Sequence, residues 1–358
     1  MILRGPNGAQ KGSFRWVALL LILAAATWGN QIAAQDGGTP FTLHVYANLV
    51  QLPTLVLDSQ HRLMAALDPR QFEVSLDSGR QFAPTHVRME GEDPIDLAIV
   101  LDLSGSQDSL LKGFADAAAD LVPGSLHPQD RIWVYAVNCS LIRYAEGAPA
   151  THDVLHRVLT NAVQRSSADK PHPGSSCSKP APLWAVVATV VEQMTDAPGR
   201  RVMLVMSDGL DGGSKYGWAA VHYLAGTRGV ALFGLLDVSD LRVRNFVRDP
   251  VPRDFRQLCE SSGGIVMESS AKRLPVTFQE FIAMLRGRYI LEFPSPQRLT
   301  SGTHSVDVKL KRKRNAFIAV AGVTVAMRDP SVANDPTTIP SQAGADIPVG
   351  DKRPEVTR

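Results

Sequence analysis

Asp96-Leu97-Ala98-Ile99-Val100-Leu101-Asp102-Leu103-Ser104-Gly105-Ser106 is an apolar run that ends in an acid, with two hydroxyls following at alternate positions. A second run, Arg201-Val202-Met203-Leu204-Val205-Met206, ends in Ser207-Asp208-Gly209. If both runs are parallel strands of one sheet, both acids emerge at the same edge. In open parallel sheets that carboxyl edge is where ligands bind. A set of Asp and Ser oxygens there suits a hard divalent cation such as magnesium.

Working outward, strands alternate with helices. Leu110, Leu111, Phe114, Ala117, Ala118 and Leu121 recur at helical spacing, and Pro123-Gly124 ends that helix. Residues 132–137, 230–236 and 265–267 read as further strands, and 140–144 as a short antiparallel return. Residues 153–163, 182–194, 216–228, 253–261 and 278–285 read as helices. The alternation predicts an α/β fold over 94–287, with a doubly wound, mostly parallel sheet and helices on both faces.

The flanks read as β structure. In 41–90, Leu43, Val45, Ala47 and Leu49 alternate, and Phe72-Glu73-Val74-Ser75-Leu76 has period two. Asp77-Ser78-Gly79-Arg80 is a hairpin signal with 82–87 as the return strand. Residues 288–327 carry three more strand-like runs, expected to pack with the early segment as a small β-sandwich. Residues 328–358, rich in Pro, Asp, Ser and Thr, read as a disordered tail.

The chain has 358 residues, 44% of them apolar, which supports a substantial core. A net charge of +2 gives no global field for nucleic acid. The basic cluster Lys309-Leu310-Lys311-Arg312-Lys313-Arg314 reads as a charged strand face or hairpin tip. At the amino terminus, Arg4, Lys11 and Arg15 precede an apolar core at 16–28, shorter than the roughly 20 residues of a membrane span. Ala33 and Ala34 follow, so 1–34 reads as an export signal, cleaved near Ala34 or retained as an anchor. The expected location is secreted, periplasmic or cell-envelope, with membrane contact only if the signal is retained. Of three cysteines, Cys139 and Cys177 are expected at one sheet edge and are paired, while Cys259 lies on an amphipathic helix as a buried thiol.

Asp102-x-Ser104-x-Ser106 lets a tight loop turn alternate side chains to one side, and Asp208 arrives from a neighbouring strand as a second acid. Magnesium usually keeps several waters, and a partner's carboxylate can take one such position. These residues, with Val205-Met206-Ser207-Asp208-Gly209 and Gly263-Gly264, resemble the von Willebrand factor A domain and its metal-ion-dependent adhesion site. More narrowly, Leu67-Asp68-Pro69-Arg70-Gln71-Phe72-Glu73-Val74 and Arg288-Tyr289-Ile290-Leu291-Glu292-Phe293 are similar to segments flanking that domain in the secreted VWFA-related family of Acidobacteria. The resemblance implies an exported protein-binding module, used for adhesion or assembly. Its metal contacts are Asp102, Ser104, Ser106 and Asp208, the two acids acting directly or through coordinated water. The cofactor it implies is Mg2+, or Mn2+ or Ca2+, and the partner a protein that offers an acidic residue. One position departs from the pattern: alignment on Leu183-Trp184 puts Ala181 where the family carries a Thr. Ser175, Ser176, Ser178 or a water are the available substitutes.

The alternatives are a metal-independent scaffold, in which the same hydroxyls and acids cap turns, and a hydrolase. A phosphatase of the haloacid-dehalogenase type needs an acid two residues after the nucleophilic Asp, where Ser104 stands. Leu103-Ser104-Gly105 lacks the Gly-x-Ser-x-Gly elbow. The expectation is therefore that the chain is not an enzyme. Asp211 reads as a turn acid, with an outer role at the metal as the other option. Asp108 and Asp237 read as capping residues.

Overall fold

The computed structural model describes residues 44–46, 49–64, 66–104, 108–138, 140–168, 181–239, 251–296, 304–312, 315–320, 338–340 and 346–351. The expected export signal, Ser106, Cys139, Cys177 and the serines 175, 176 and 178 lie outside them. All elements below belong to the unit Val45–Arg358.

The apolar run at Asp96 is strand β4 (Ile95–Asp102), and every one of its residues is buried. It lies between β5 (Arg131–Val137) and β7 (Arg200–Met206), parallel to both. β8 (Ala231–Asp237) and β9 (Val266–Ser269) continue the sheet in parallel beyond β7, and β6 (Leu141–Pro149) closes the other side antiparallel to β5. The order β9-β8-β7-β4-β5-β6 makes a six-stranded, mostly parallel sheet. Alternate side chains leave a strand on opposite faces, so β4 feeds two cores. Leu97, Ile99 and Leu101 join Leu110 and Phe114 of α1 (Asp108–Ala119) and Phe278 and Phe281 of α6 (Leu274–Arg286). Ala98 and Val100 join Trp184 and Val187 of α3 (Leu183–Gln193) and Phe255 and Leu258 of α5 (Arg253–Ser261). Helices α2 (His152–Ala168) and α4 (Trp218–Arg228) complete the two layers. Cys259 of α5 is buried and free. Gly264 passes so close to β8 that a Cβ there would lie 2.0 Å from the Leu232 carbonyl oxygen. Among the described residues no helix is long and apolar enough to cross a membrane.

The flanking segments form two facing antiparallel sheets. One contains β1 (Leu49–Leu57), β3 (His86–Met89), β10 (Tyr289–Pro294) and β12 (Phe317–Val320) in the order β12-β1-β10-β3. The other pairs β2 (Phe72–Leu76) with β11 (Val306–Leu310). Val50, Leu52, Phe72, Val74, Leu291 and Val308 share one cluster between them. The hairpin expected after β2 is corrected here. Asp77 and Ser78 do turn the chain, with φ of 50° and 61°, but only Phe82 returns to bond Val74. The chain then crosses to the other sheet as β3. Pro84 stands at the break and lacks the N–H that a continued ladder needs. Part of the expected disordered tail is also ordered: Ile347 and Val349 pack on the sandwich core, and the Gly350 amide bonds Leu76. Two apolar residues at alternate positions explain that docking.

The chain enters the α/β layer at Glu90 and leaves it at Arg288. The two points are stitched together: the Glu90 amide donates to the Arg288 carbonyl at 2.8 Å and the Gly91 amide to Arg286 at 2.9 Å. The Arg288 guanidinium makes a two-pronged bond to Glu90, at 2.7 and 2.8 Å, with both side chains buried. Arg286 grips Asp130 at 2.5 Å and the Asp93 carbonyl at 2.7 Å. Removing one member of a buried pair strands the other's charge. Glu90→Ala is therefore expected to cost roughly 3–5 kcal/mol, read as a lower urea midpoint, and Glu90→Met with Arg288→Met to recover most of it. A loss below about 1 kcal/mol, the size of an exposed pair, would show that the junction is held by something else.

Candidate metal centre

The register between β4 and β7 pairs Leu101 with Met206. The next residues on each strand, Asp102 and Ser207, are therefore neighbours at the carboxyl edge. The Ser207 hydroxyl donates to Asp102 Oδ2 at 2.7 Å and accepts from the Gly209 amide at 3.1 Å. Asp102 Oδ1 accepts the Ser104 amide at 3.1 Å, and the Leu103 amide donates to the Val137 carbonyl at 2.8 Å. Asp102 is only 1% exposed. Burial pushes its carboxyl above the usual range. Hydrogen bonds from Ser207 and Ser104 pull the other way, and the nearby Asp208 charge adds to the rise.

Asp208 is half-buried, and its Oδ1 accepts the Leu210 amide at 3.0 Å. The turn that aims it needs Gly209, whose φ is +75° and whose Cβ would lie 2.7 Å from Phe255 Cδ1. Ser104 is half-buried beside Asp102, and Ser106 lies outside the described residues. The structure thus brings Asp102, Ser104 and Asp208 to one rim. Sequence reasoning gave Ser207 no role, although it fixes the Asp102 carboxylate. The one available signal was a hydroxyl placed directly before Asp-Gly at a strand end.

Ala181 is buried, and its carbonyl accepts the amide of Gly212, four residues after Asp208, at 2.8 Å. Asp211 takes the Trp184 amide at 3.1 Å and the Ser214 hydroxyl at 2.5 Å, while Ser214 Oγ takes the Ala185 amide at 3.0 Å. These two residues cap α3 from another part of the chain, since Pro182 at its start makes no side-chain cap. At β8, Asp237 accepts the Ser109 hydroxyl of α1 and the Ser239 amide.

Among the described residues no group of three or more His, Cys, Asp or Glu converges. The donors on the rim are instead two carboxylates and a hydroxyl, an oxygen set that fits a hard dication better than a soft one. A carboxylate raised in pKa by burial, with a second acid adding to the rise, is also an arrangement that a cation relieves.

No family model matches the chain, and no curated protein does. Solved structures with a similar arrangement include proximal thread matrix protein 1 of the mussel byssus, in a form with a zinc-occupied MIDAS motif. It has 14% identity over 58% of this chain and 50% of its own, with a TM-score of 0.40. The manganese-loaded TRAP protein of Plasmodium vivax has 12% identity over 66% and 95%, at 0.37. BatB of Bacteroides thetaiotaomicron, a conserved hypothetical protein, has 13% over 54% and 98%, at 0.37. At these scores none of them bears on the site, and the fold assignment stands on the strand order above.

The Asp211 cap gives a direct test. Partial burial pushes its carboxyl up, but hydrogen bonds from Ser214, Trp184 and Gly213 outweigh this and hold it below the usual range. Asp211→Ala is expected to cost about 1–2 kcal/mol, the worth of a helix cap. A depressed carboxylate stabilises above its unfolded pKa of about 3.9 and loses that contribution as pH falls through the folded value. The difference between wild type and variant in denaturant melts should therefore shrink below about pH 4; a pH-independent difference would contradict the assignment.

Proposed function

We propose that this chain is an exported protein-binding module of the von Willebrand factor A type. In this reading Asp102, Ser104, Ser106 and Asp208 hold a magnesium ion, or manganese or calcium, at the carboxyl edge of the sheet. The partner is a protein that presents an acidic residue. The observation that carries the reading is the delivery of a buried carboxylate and a second acid, within electrostatic reach of one another, by adjacent parallel strands. When bound, the ion offers an open coordination position to a partner's oxygen and offsets the charge of both acids. Ser207 holds the Asp102 carboxylate in one orientation. Gly209 lets the backbone turn so that Asp208 reaches the rim. Residues 1–34 act as the export signal.

One observation favours a second reading, a metal-independent assembly surface. The Ala181 side chain offers no oxygen, and both acids already accept hydrogen bonds: Asp102 from Ser104 of its own loop and Ser207 of the neighbouring strand end, and Asp208 from Leu210.

Calorimetric titration with Mn2+ and Mg2+ separates the two. The metal reading expects saturable binding, lost in Asp208→Ala and weakened about tenfold in Ser207→Ala, the usual cost of losing a ligand's orienting partner. Ala181→Thr, which supplies the missing hydroxyl, is expected to tighten binding. No heat at millimolar metal in either the wild type or Ala181→Thr would overturn the reading. Partner capture that persists in chelator would then establish the scaffold.

A further inference from the structure

At the opposite end of β7 from Asp208 lies a cavity of about 520 Å3. One wall is β1, where Val50 and Leu52 point into the sandwich core and leave Leu49, Gln51 and Pro53 for the other face. The lining also includes Arg200 and Arg201 at the start of β7, Arg228 at the end of α4, and Arg288. Four arginines and no carboxylate line it.

The arginines differ in how far they are neutralised. Arg288 is matched by Glu90. Arg200 shares Asp93 at 3.3 Å and bonds Gln51 at 3.0 Å, and Arg228 meets Glu192 at 3.1 Å. Those carboxylates do not line the cavity; Asp93 and Asp96 line a neighbouring one of about 550 Å3 that shares Arg200 and Arg201 with it. Arg201 spends one nitrogen on the Thr195 carbonyl at 2.6 Å, and among the described residues it has no carboxylate at salt-bridge distance. Burial acts against its charge, the Asp96 carboxylate offsets part of that, Arg228 adds to the penalty, and Asp196 offsets a little more. Arg228 Nε is buried with no hydrogen-bond partner. Gly229 follows it, and a Cβ built there would lie 4.0 Å from Arg201 Nη2, an ordinary contact that sets the Arg201 guanidinium beside the end of α4. Arg200 and Arg201 are consecutive residues of β7 and leave it on opposite faces, so the guanidinium within electrostatic reach of Arg201 is that of Arg228, and no carboxylate lines the cavity with them. Two such forks with donors to spare suit a multiply charged oxyanion.

We propose that this cavity is a binding site for a phosphate-type oxyanion, free or carried on a small organic molecule, held by Arg201 and Arg228. The volume falls within the range of small-ligand pockets, and the Leu49 and Pro53 wall gives an apolar surface for an organic body.

The test is calorimetric titration of the full chain, in chelator, with inorganic phosphate and with phenyl phosphate. Saturable binding of either at millimolar concentration is expected, falling about tenfold or more in Arg201→Gln. Arg228→Gln, at a side chain 40% exposed, is expected to fold and to weaken binding in the same direction. Tighter binding of phenyl phosphate identifies an organic carrier, and equal affinities identify the free anion; both support the site. Asp208→Ala is expected to leave oxyanion binding unchanged, which separates this site from the metal rim. No binding of either probe, or undiminished binding in every arginine variant that folds, would overturn the proposal.

Discussion

The parallel register of β4 on β7 is the constraint on which the rest of the structure depends. With Leu101 opposite Met206, the two central strands end together, and Asp102 lies beside Ser207 with Asp208 one residue beyond. A slip by one residue would send β4's alternating side chains to the wrong layers and would part Asp102 from Ser207. The apolar clusters on both faces of the sheet therefore hold the rim in place. Leu97, Ile99 and Leu101 are seated against α1 and α6, and Ala98 and Val100 against α3 and α5. Core packing and site geometry are fixed by the same strand.

The surrounding loops are tied to this frame by capping in trans. Asp211 and Ser214 close the amino end of α3, and the Gly212 amide closes on Ala181. Asp237 and Ser109 tie the start of α1 to β8. At the far end, buried arginine pairs clamp the two crossings between the α/β layer and the sandwich. The rim is thus built on rigid elements, which is what precise ligand placement needs. The cluster of arginines at the amino end of β7 has the opposite charge character from the acid pair at its carboxyl end.

The central strands were legible because a strand covered on both faces reads as an unbroken apolar run. Asp102 and Asp208 were legible because each ends such a run. Helix limits were less so. α6 begins at Leu274 rather than near Phe278 because Pro275 sits in its first turn, where a missing N–H costs nothing. The cap of α3 comes from residues 27 and 29 positions away, which no local pattern reveals. β6 runs to Pro149 as an edge with no fully buried residue and with register shifts, so it lacks the clean alternation of a half-buried strand. The role of Ser207, the crossing at Pro84 and the docking of Val349 are all tertiary contacts between segments distant in sequence.

Anomalous diffraction from crystals soaked in manganese tests the rim most directly. A single strong peak bounded by Asp102, Ser104 and Asp208, absent from crystals of Asp208→Ala, is the expected result. A map with no peak there, in crystals where Asp102 remains bonded to Ser207 and Asp208 to the Leu210 amide, would contradict metal binding and leave the rim as a capped strand edge.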